Sequence, residues 1–168
     1  MKKRALWILT FVLILSVALI AGGCGQEQPV QNTETPAPQV EIDEDAIVYE
    51  RIISYFDGLK QNNNMIAPSV VYEALQSDPG AYFILDIRAA DDYAKGHIEA
   101  ASILNIAWAE VGSNMHLLPR DRTIVVTCYS GQSAGQTVAA LRLAGYDAIS
   151  LQGGMNNGWL KAELPIVD

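Results

Sequence analysis

The chain has 168 residues, with 11 basic and 19 acidic side chains and a formal charge of −8. That length allows one ordinary domain with extensions. The acidic balance speaks against nucleic acid, whose binding rests on basic phosphate contacts, and against charge-driven adhesion to anionic lipid.

Met1-Lys2-Lys3-Arg4 is a positive start, and an apolar run from Ala5 to Ala21 follows, broken only by Thr10 and Ser16. Ala21-Gly22-Gly23 then supplies the small residues that a signal peptidase requires, and Cys24 comes at once. An uncleaved anchor is the other reading of so long a run. Residues 1–23 resemble a bacterial lipoprotein signal. The resemblance implies a lipidated Cys24, export, and an anchor at the outer face of the cell membrane or the periplasmic side of an envelope membrane. Without residues 1–23 the chain loses Lys2, Lys3 and Arg4 and no acid, leaving 8 bases against 19 acids, a formal −11.

Residues 24–45 are rich in Gln, Glu, Pro and Thr, with Pro29, Pro36 and Pro38. Such a stretch buries too little apolar surface to order itself and reads as a semi-extended tether. Over 46–62, Ile47, Val48, Ile52, Ile53, Phe56 and Leu59 fall near helical spacing. This predicts an extra helix, packed against the domain or folded with a partner, and ended by Asn62-Asn63-Asn64.

From residue 63 to 168 strands and helices alternate. Met65-Ile66 is predicted as a short edge strand, and Pro68 suits the first turn of the next helix. Tyr82 to Ile87 is a strand whose apolar run fits burial on both faces. Ala90 to Lys95 is a short helix closed by Gly96, and Ser102 to Ile106 a strand. Trp108 to Leu118 is helical or irregular. The last strand is Ala148 to Leu151, and a final helix lies near Asn156 to Ala162. This pattern is an α/β fold with a mainly parallel sheet and helices on both faces.

The chemistry concentrates at one junction. The apolar stretch Thr123 to Thr127 runs straight into Cys128-Tyr129-Ser130-Gly131-Gln132-Ser133-Ala134, and a helical pattern continues to Leu143. A helix start offers unpaired N–H groups and the positive end of its dipole. A thiolate held there ionises more readily than in free solution. Gly131 lets the backbone turn its amides inward, Ser130 and Ser133 add hydroxyls, Gln132 adds an amide, and Ser133 suits the N-cap. The chain holds two cysteines. With Cys24 lipidated, Cys128 has no internal partner, which marks it as a reactive thiol or an intermolecular one.

This loop, with its strand and helix, resembles the active-site loop of rhodanese-like sulfurtransferases. Leu85-Asp86-Ile87-Arg88, Tyr93, Gly96-His97-Ile98, Ala100-Ala101 and Asn105-Ile106 are similar to the family's N-terminal signature. Gly145-Tyr146-Asp147, Gln152-Gly153-Gly154 and Trp159 are similar to its C-terminal one. The resemblance spans roughly residues 62–167. It implies that Cys128 accepts a sulfane sulfur as a persulfide, that the amides from Tyr129 to Ala134 cradle it, and that Asp86 and Arg88 are framework residues near the site. A small sulfane donor and a thiol or cyanide acceptor are the implied partners, and no cofactor is implied. A non-catalytic module for binding or redox sensing at the envelope is the competing reading.

The loop carries no charged residue, so a dianionic substrate meets only neutral donors and the helix dipole. The sixth residue after Cys128 is Ala134. The Cys-x5-Arg phosphate fork of the related phosphatases is therefore missing. His97 reads as a framework residue satisfying nearby backbone and His116 as a surface residue. Two histidines 19 apart form no zinc pattern, so no metal is expected. Trp159 and Met155 read as packing residues. Tyr129 either walls the pocket or is an exposed loop aromatic.

Overall fold

Among the described residues five short strands make the frame, all paired in parallel. The computed structural model describes residues 43–168. The expected signal (1–23), the lipidated Cys24 and nearly all of the 24–45 tether lie outside the described residues. The strands are β1 (Met65–Ile66), β2 (Phe83–Asp86), β3 (Ile103–Asn105), β4 (Ile124–Thr127) and β5 (Ala148–Leu151), in the order β1-β5-β4-β2-β3. The strand that feeds Cys128 is thus the central one. β2 lies beside it, with Asp86 in register with Thr127. β1 sits at the edge, as its two-residue length suggests.

Central strands buried on both faces need apolar residues at every position, and β4 is buried throughout. Its residues divide between two cores. Ile124 and Val126, with Leu85 and Ile87, pack under Ala134, Val138 and Leu141 of helix α4 (Gln132–Leu143). Val125, with Ile84 and Leu151, packs under Val71 and Leu75 of helix α2 (Pro68–Ser77) and under Met155 and Trp159. Helices therefore cover both faces, as the alternation predicted. A four-residue helix α3 (Ala90–Tyr93) follows β2, ending two residues short of the expected Lys95.

Helix α1 (Glu44–Leu59) starts before the expected boundary because the Asp43 carboxylate caps it, accepting from the Ala46 N–H at 2.9 Å. It also ends earlier, at Leu59. The asparagines build the turn into β1 instead: Asn62 Oδ1 accepts from the Asn64 N–H at 2.9 Å, and Asn63 Oδ1 from the Met65 N–H at 3.1 Å. Helix α1 touches the domain along α4, where the Arg51 guanidinium donates to the Leu143 carbonyl at 2.8 Å. It buries no residue.

Trp108 to Leu118 forms two tight 3₁₀ turns, Trp108–Glu110 and Gly112–Leu117. The final coil differs more from expectation. It is a wide π-helical turn over Gly154–Trp159, with the Leu160 N–H reaching back five residues to the Met155 carbonyl at 2.9 Å. It begins early because Gly153 and Gly154 hold φ of 75° and 58°, in the left-handed region that favours glycine.

Candidate active site

Ligands in parallel α/β sheets lie at the carboxyl ends of strands, where helix starts converge. Cys128 follows the last residue of β4 and is 2% exposed. The chain then turns through Gly131, whose φ of 90° opens helix α4. Gly131 is the N-cap and no side chain caps this helix. The expected capping role of Ser133 is therefore corrected. The left-handed turn at Gly131 starts the helix two residues earlier than that role requires, which places Ser133 inside the first turn.

The Gly131 N–H donates to Cys128 Sγ at 3.1 Å. Burial is the largest single influence on the thiol and opposes its ionisation. The Ser133 hydroxyl, then the backbone amides of Ala134, Ser130 and Gly131, act the other way and together prevail. The thiol is held below its ordinary range with no cationic side chain among these groups. The six loop positions thus separate by role. Ser130, Gly131, Ser133 and Ala134 favour the thiolate, and Gly131 donates to the sulfur directly. Gln132 is exposed. Tyr129 bonds through its hydroxyl to groups outside the loop.

The Tyr129 hydroxyl donates to Asp92 Oδ2 at 2.7 Å and accepts from the Ala89 N–H at 3.2 Å. Asp92 also accepts from Lys95 Nζ at 2.7 Å. Lys95 and then Tyr129 hold the Asp92 carboxyl below the usual carboxylate range. Tyr129 is therefore a strut between the cysteine loop and α3. Asp92 was not singled out by sequence; its partner lies 37 residues away.

Asp86 and Arg88 pair with each other. Arg88 Nη2 lies 2.6 Å from Asp86 Oδ2, and Nε lies 3.0 Å from both oxygens. Both side chains are buried. Arg88 Nη2 also donates to the Gly96 carbonyl at 2.9 Å, and the Arg88 N–H donates to Asp86 Oδ1 at 3.0 Å. Asn105 clamps the same turn from β3, donating to the Asp86 and Arg88 carbonyls at 2.9 and 3.0 Å. Two of the three guanidinium nitrogens, Nε and Nη2, are thus engaged by Asp86 and Gly96. His97 Nδ1 lies 3.2 Å from the Tyr93 carbonyl, and its ring stacks on Tyr93. His116 is exposed. Trp159 is buried and donates to the Pro165 carbonyl at 2.8 Å.

The underside of the loop is held by the Gly153-Gly154 turn. The Met155 N–H donates to the Cys128 carbonyl at 2.7 Å and the Asn156 N–H to the Tyr129 carbonyl at 2.8 Å. A Cβ on Gly154 would collide with the Cys128 carbonyl oxygen and come within 2.7 Å of the Gly131 nitrogen. The sequence held one signal for this role, a glycine pair after a predicted strand.

A family model described as Rhodanese-like domain matches residues 67–162. The chain belongs to the rhodanese-like domain family. The rhodanese-like domain is 33% identical over 92 residues to a sulfurtransferase of Allochromatium vinosum, a match covering 54% of this chain and 83% of that one. It is 32% identical over 83 residues to the probable adenylyltransferase/sulfurtransferase MoeZ of Mycobacterium tuberculosis, covering 49% of this chain. That match spans 21% of MoeZ, a much longer protein. A rhodanese-related protein from Thermoplasma volcanium superposes with a TM-score of 0.55 at 27% identity, covering 61% of this chain and 96% of that one.

Proposed function

We propose that this rhodanese-like protein is an exported, lipid-anchored sulfurtransferase that carries sulfane sulfur as a persulfide on Cys128. The observation that carries the reading is the thiol itself. It is free, sits at the end of the central strand, and is held below its ordinary range by the Ser133 hydroxyl and loop amides that outweigh burial. Relatives named as sulfurtransferases support the class of reaction.

In the first half-reaction the Cys128 thiolate attacks the sulfane sulfur of a donor. A sulfur–sulfur bond forms at Cys128 as the donor's own sulfur–sulfur bond breaks, and the electron pair leaves with the donor remnant. The terminal persulfide sulfur is anionic and takes over the amide cradle. In the second half-reaction an acceptor nucleophile, a cellular thiolate or cyanide in vitro, attacks that terminal sulfur and returns the Cys128 thiolate. This is a ping-pong scheme with a covalent intermediate. Cys128 is nearly covered, so a donor must present its sulfur end-on. The cysteine loop itself carries no cation, and Arg88 is buried against Asp86. A donor of low charge fits this site better than thiosulfate.

The test is the intact mass of the protein after exposure to a persulfide donor. One added sulfur atom on Cys128, removed by reductant and absent in Cys128→Ala, is expected. An unreactive Cys128 would instead establish the second reading, a binding or redox-sensing module, which the thiol's 2% exposure favours.

A further inference from the structure

Helix α1 has the wrong face turned outward for a helix that merely packs on its own domain. Its contacts to α4 run through Arg51, and the space between them is lined by Ser54, Tyr55 and Gly58. Ile47 and Val48 border Leu143 beside Arg51, whereas Tyr49, Ile52, Ile53 and Phe56 line neither space against α4. Tyr49 and Phe56 are 65% and 61% exposed, and Ile52 and Ile53 are exposed between them. Side chains three and four apart share a helix face, so these residues form one stripe. Asp45 lies four residues before Tyr49 and Lys60 four residues after Phe56, and both are exposed; Lys60 meets its own Asp57 at 2.7 Å, in a surface pair weak enough to exchange for another carboxylate.

The stripe is a palindrome. Read in either direction it runs charge, aromatic, isoleucine, isoleucine, aromatic, charge, with opposite signs at the two ends. Two such helices laid antiparallel about a two-fold axis between Ile52 and Ile53 would set Tyr49 against Phe56, Ile52 against Ile53, and Asp45 against Lys60. A parallel pair would set like charges together. The same patch meeting itself is the requirement of a two-fold interface, and the charge pattern selects orientation. A lipid surface is a poorer occupant, because the helix also carries Glu44, Glu50 and Asp57, which anionic headgroups repel.

We infer that α1 is a homodimerisation helix, which pairs antiparallel with α1 of a second copy through the Tyr49–Ile52–Ile53–Phe56 stripe. This is independent of the sulfur chemistry. The test uses the full chain in density-matched detergent, with sedimentation equilibrium as the readout. Two copies per particle are expected, and one copy for Ile53→Glu/Phe56→Glu, with sulfur loading of Cys128 unchanged. Lys60→Glu and Asp45→Lys should each weaken the dimer roughly fivefold, as exposed ion pairs of this kind allow, and the two together should restore it. Cross-linking gives a readout that tolerates weakened folding. Chains carrying Tyr49→Cys should cross-link to chains carrying Phe56→Cys above the wild-type background, and neither should cross-link to itself. One copy per particle for the wild type, a dimer that survives the double glutamate variant, failure of the double charge reversal to restore, or cross-links within each single variant would overturn the inference.

Discussion

The Tyr129 hydroxyl and the Asp92 carboxylate lie 2.7 Å apart, and through that contact the cysteine loop is braced against α3. The phenol sits between an acceptor and a donor, since it also takes the Ala89 N–H at 3.2 Å. A residue next to a nucleophile often serves as a pocket wall; here the ring is a strut whose polar end is fully used. Tyr129→Phe removes both bonds and leaves the ring. Sulfur loading of Cys128 should slow by roughly three- to tenfold, the scale of a lost hydrogen bond. Asp92→Asn should do the same to a lesser degree, because an amide oxygen still accepts. Stopped-flow loading rates for the two variants decide this; rates equal to wild type in both would remove the strut.

The Ser133 hydroxyl is the strongest of the groups that favour the Cys128 thiolate. Ser133→Ala should move the midpoint of the pH–rate profile for Cys128 alkylation to higher pH. At pH 7 the rate should fall by about three- to tenfold, one hydrogen bond's worth. Ser133→Thr keeps the hydroxyl and should recover most of the loss. A profile that does not move would show that the amides alone hold the thiolate.

The same lowering carries a stability signature. The folded thiol ionises at lower pH than the unfolded one, so the folded state binds fewer protons between the two values. The resulting stability is complete above the unfolded thiol's range and is lost as pH falls through the folded value. Urea denaturation across the alkaline range should show wild-type stability rising relative to Cys128→Ala, with the two curves parallel at acid pH. Parallel curves throughout would mean that the cradle does not favour the anion.

Gly154→Ala drives a methyl group into the Cys128 carbonyl and against two loop amides, at a φ of 58° that an alanine adopts only with strain. Backbone atoms cannot swing aside as a side chain would. A loss of roughly 2 kcal/mol or more in stability is expected, with Cys128 loading reduced further than the stability loss explains. Calorimetry and loading assays on the same sample measure both.

Asp86→Ala strips the buried Arg88 of its carboxylate. Breaking a buried pair costs about 3–5 kcal/mol because the remaining charge is uncompensated. Asp86→Leu/Arg88→Met removes both charges and should regain most of that. Chemical denaturation of the two variants tests this. Recovery of sulfur loading in the double variant would show that the pair's role is to hold the turn rather than to act on substrate.

Much of this protein was legible along the chain. Continuous apolar runs marked the buried strands, and the Cys128 loop declared itself because strand, cysteine, glycine turn and helix are contiguous. The amide cradle is a property of backbone geometry over seven successive residues, so local sequence determined it. What the sequence could not decide was which distant segments press on that loop. Asp86 and Arg88 stood out as charges in an apolar run, yet that they satisfy each other follows from the chain curling back where β2 ends. Asp92 reaches Tyr129 only because β2 and β4 are neighbours in the sheet. Gly154 became a floor for the nucleophile only when β5 took its place beside β4. Spacing along a chain fixes which face a residue lies on; strand order fixes what that face meets, and strand order is set by the burial of whole helices against both sides of the sheet.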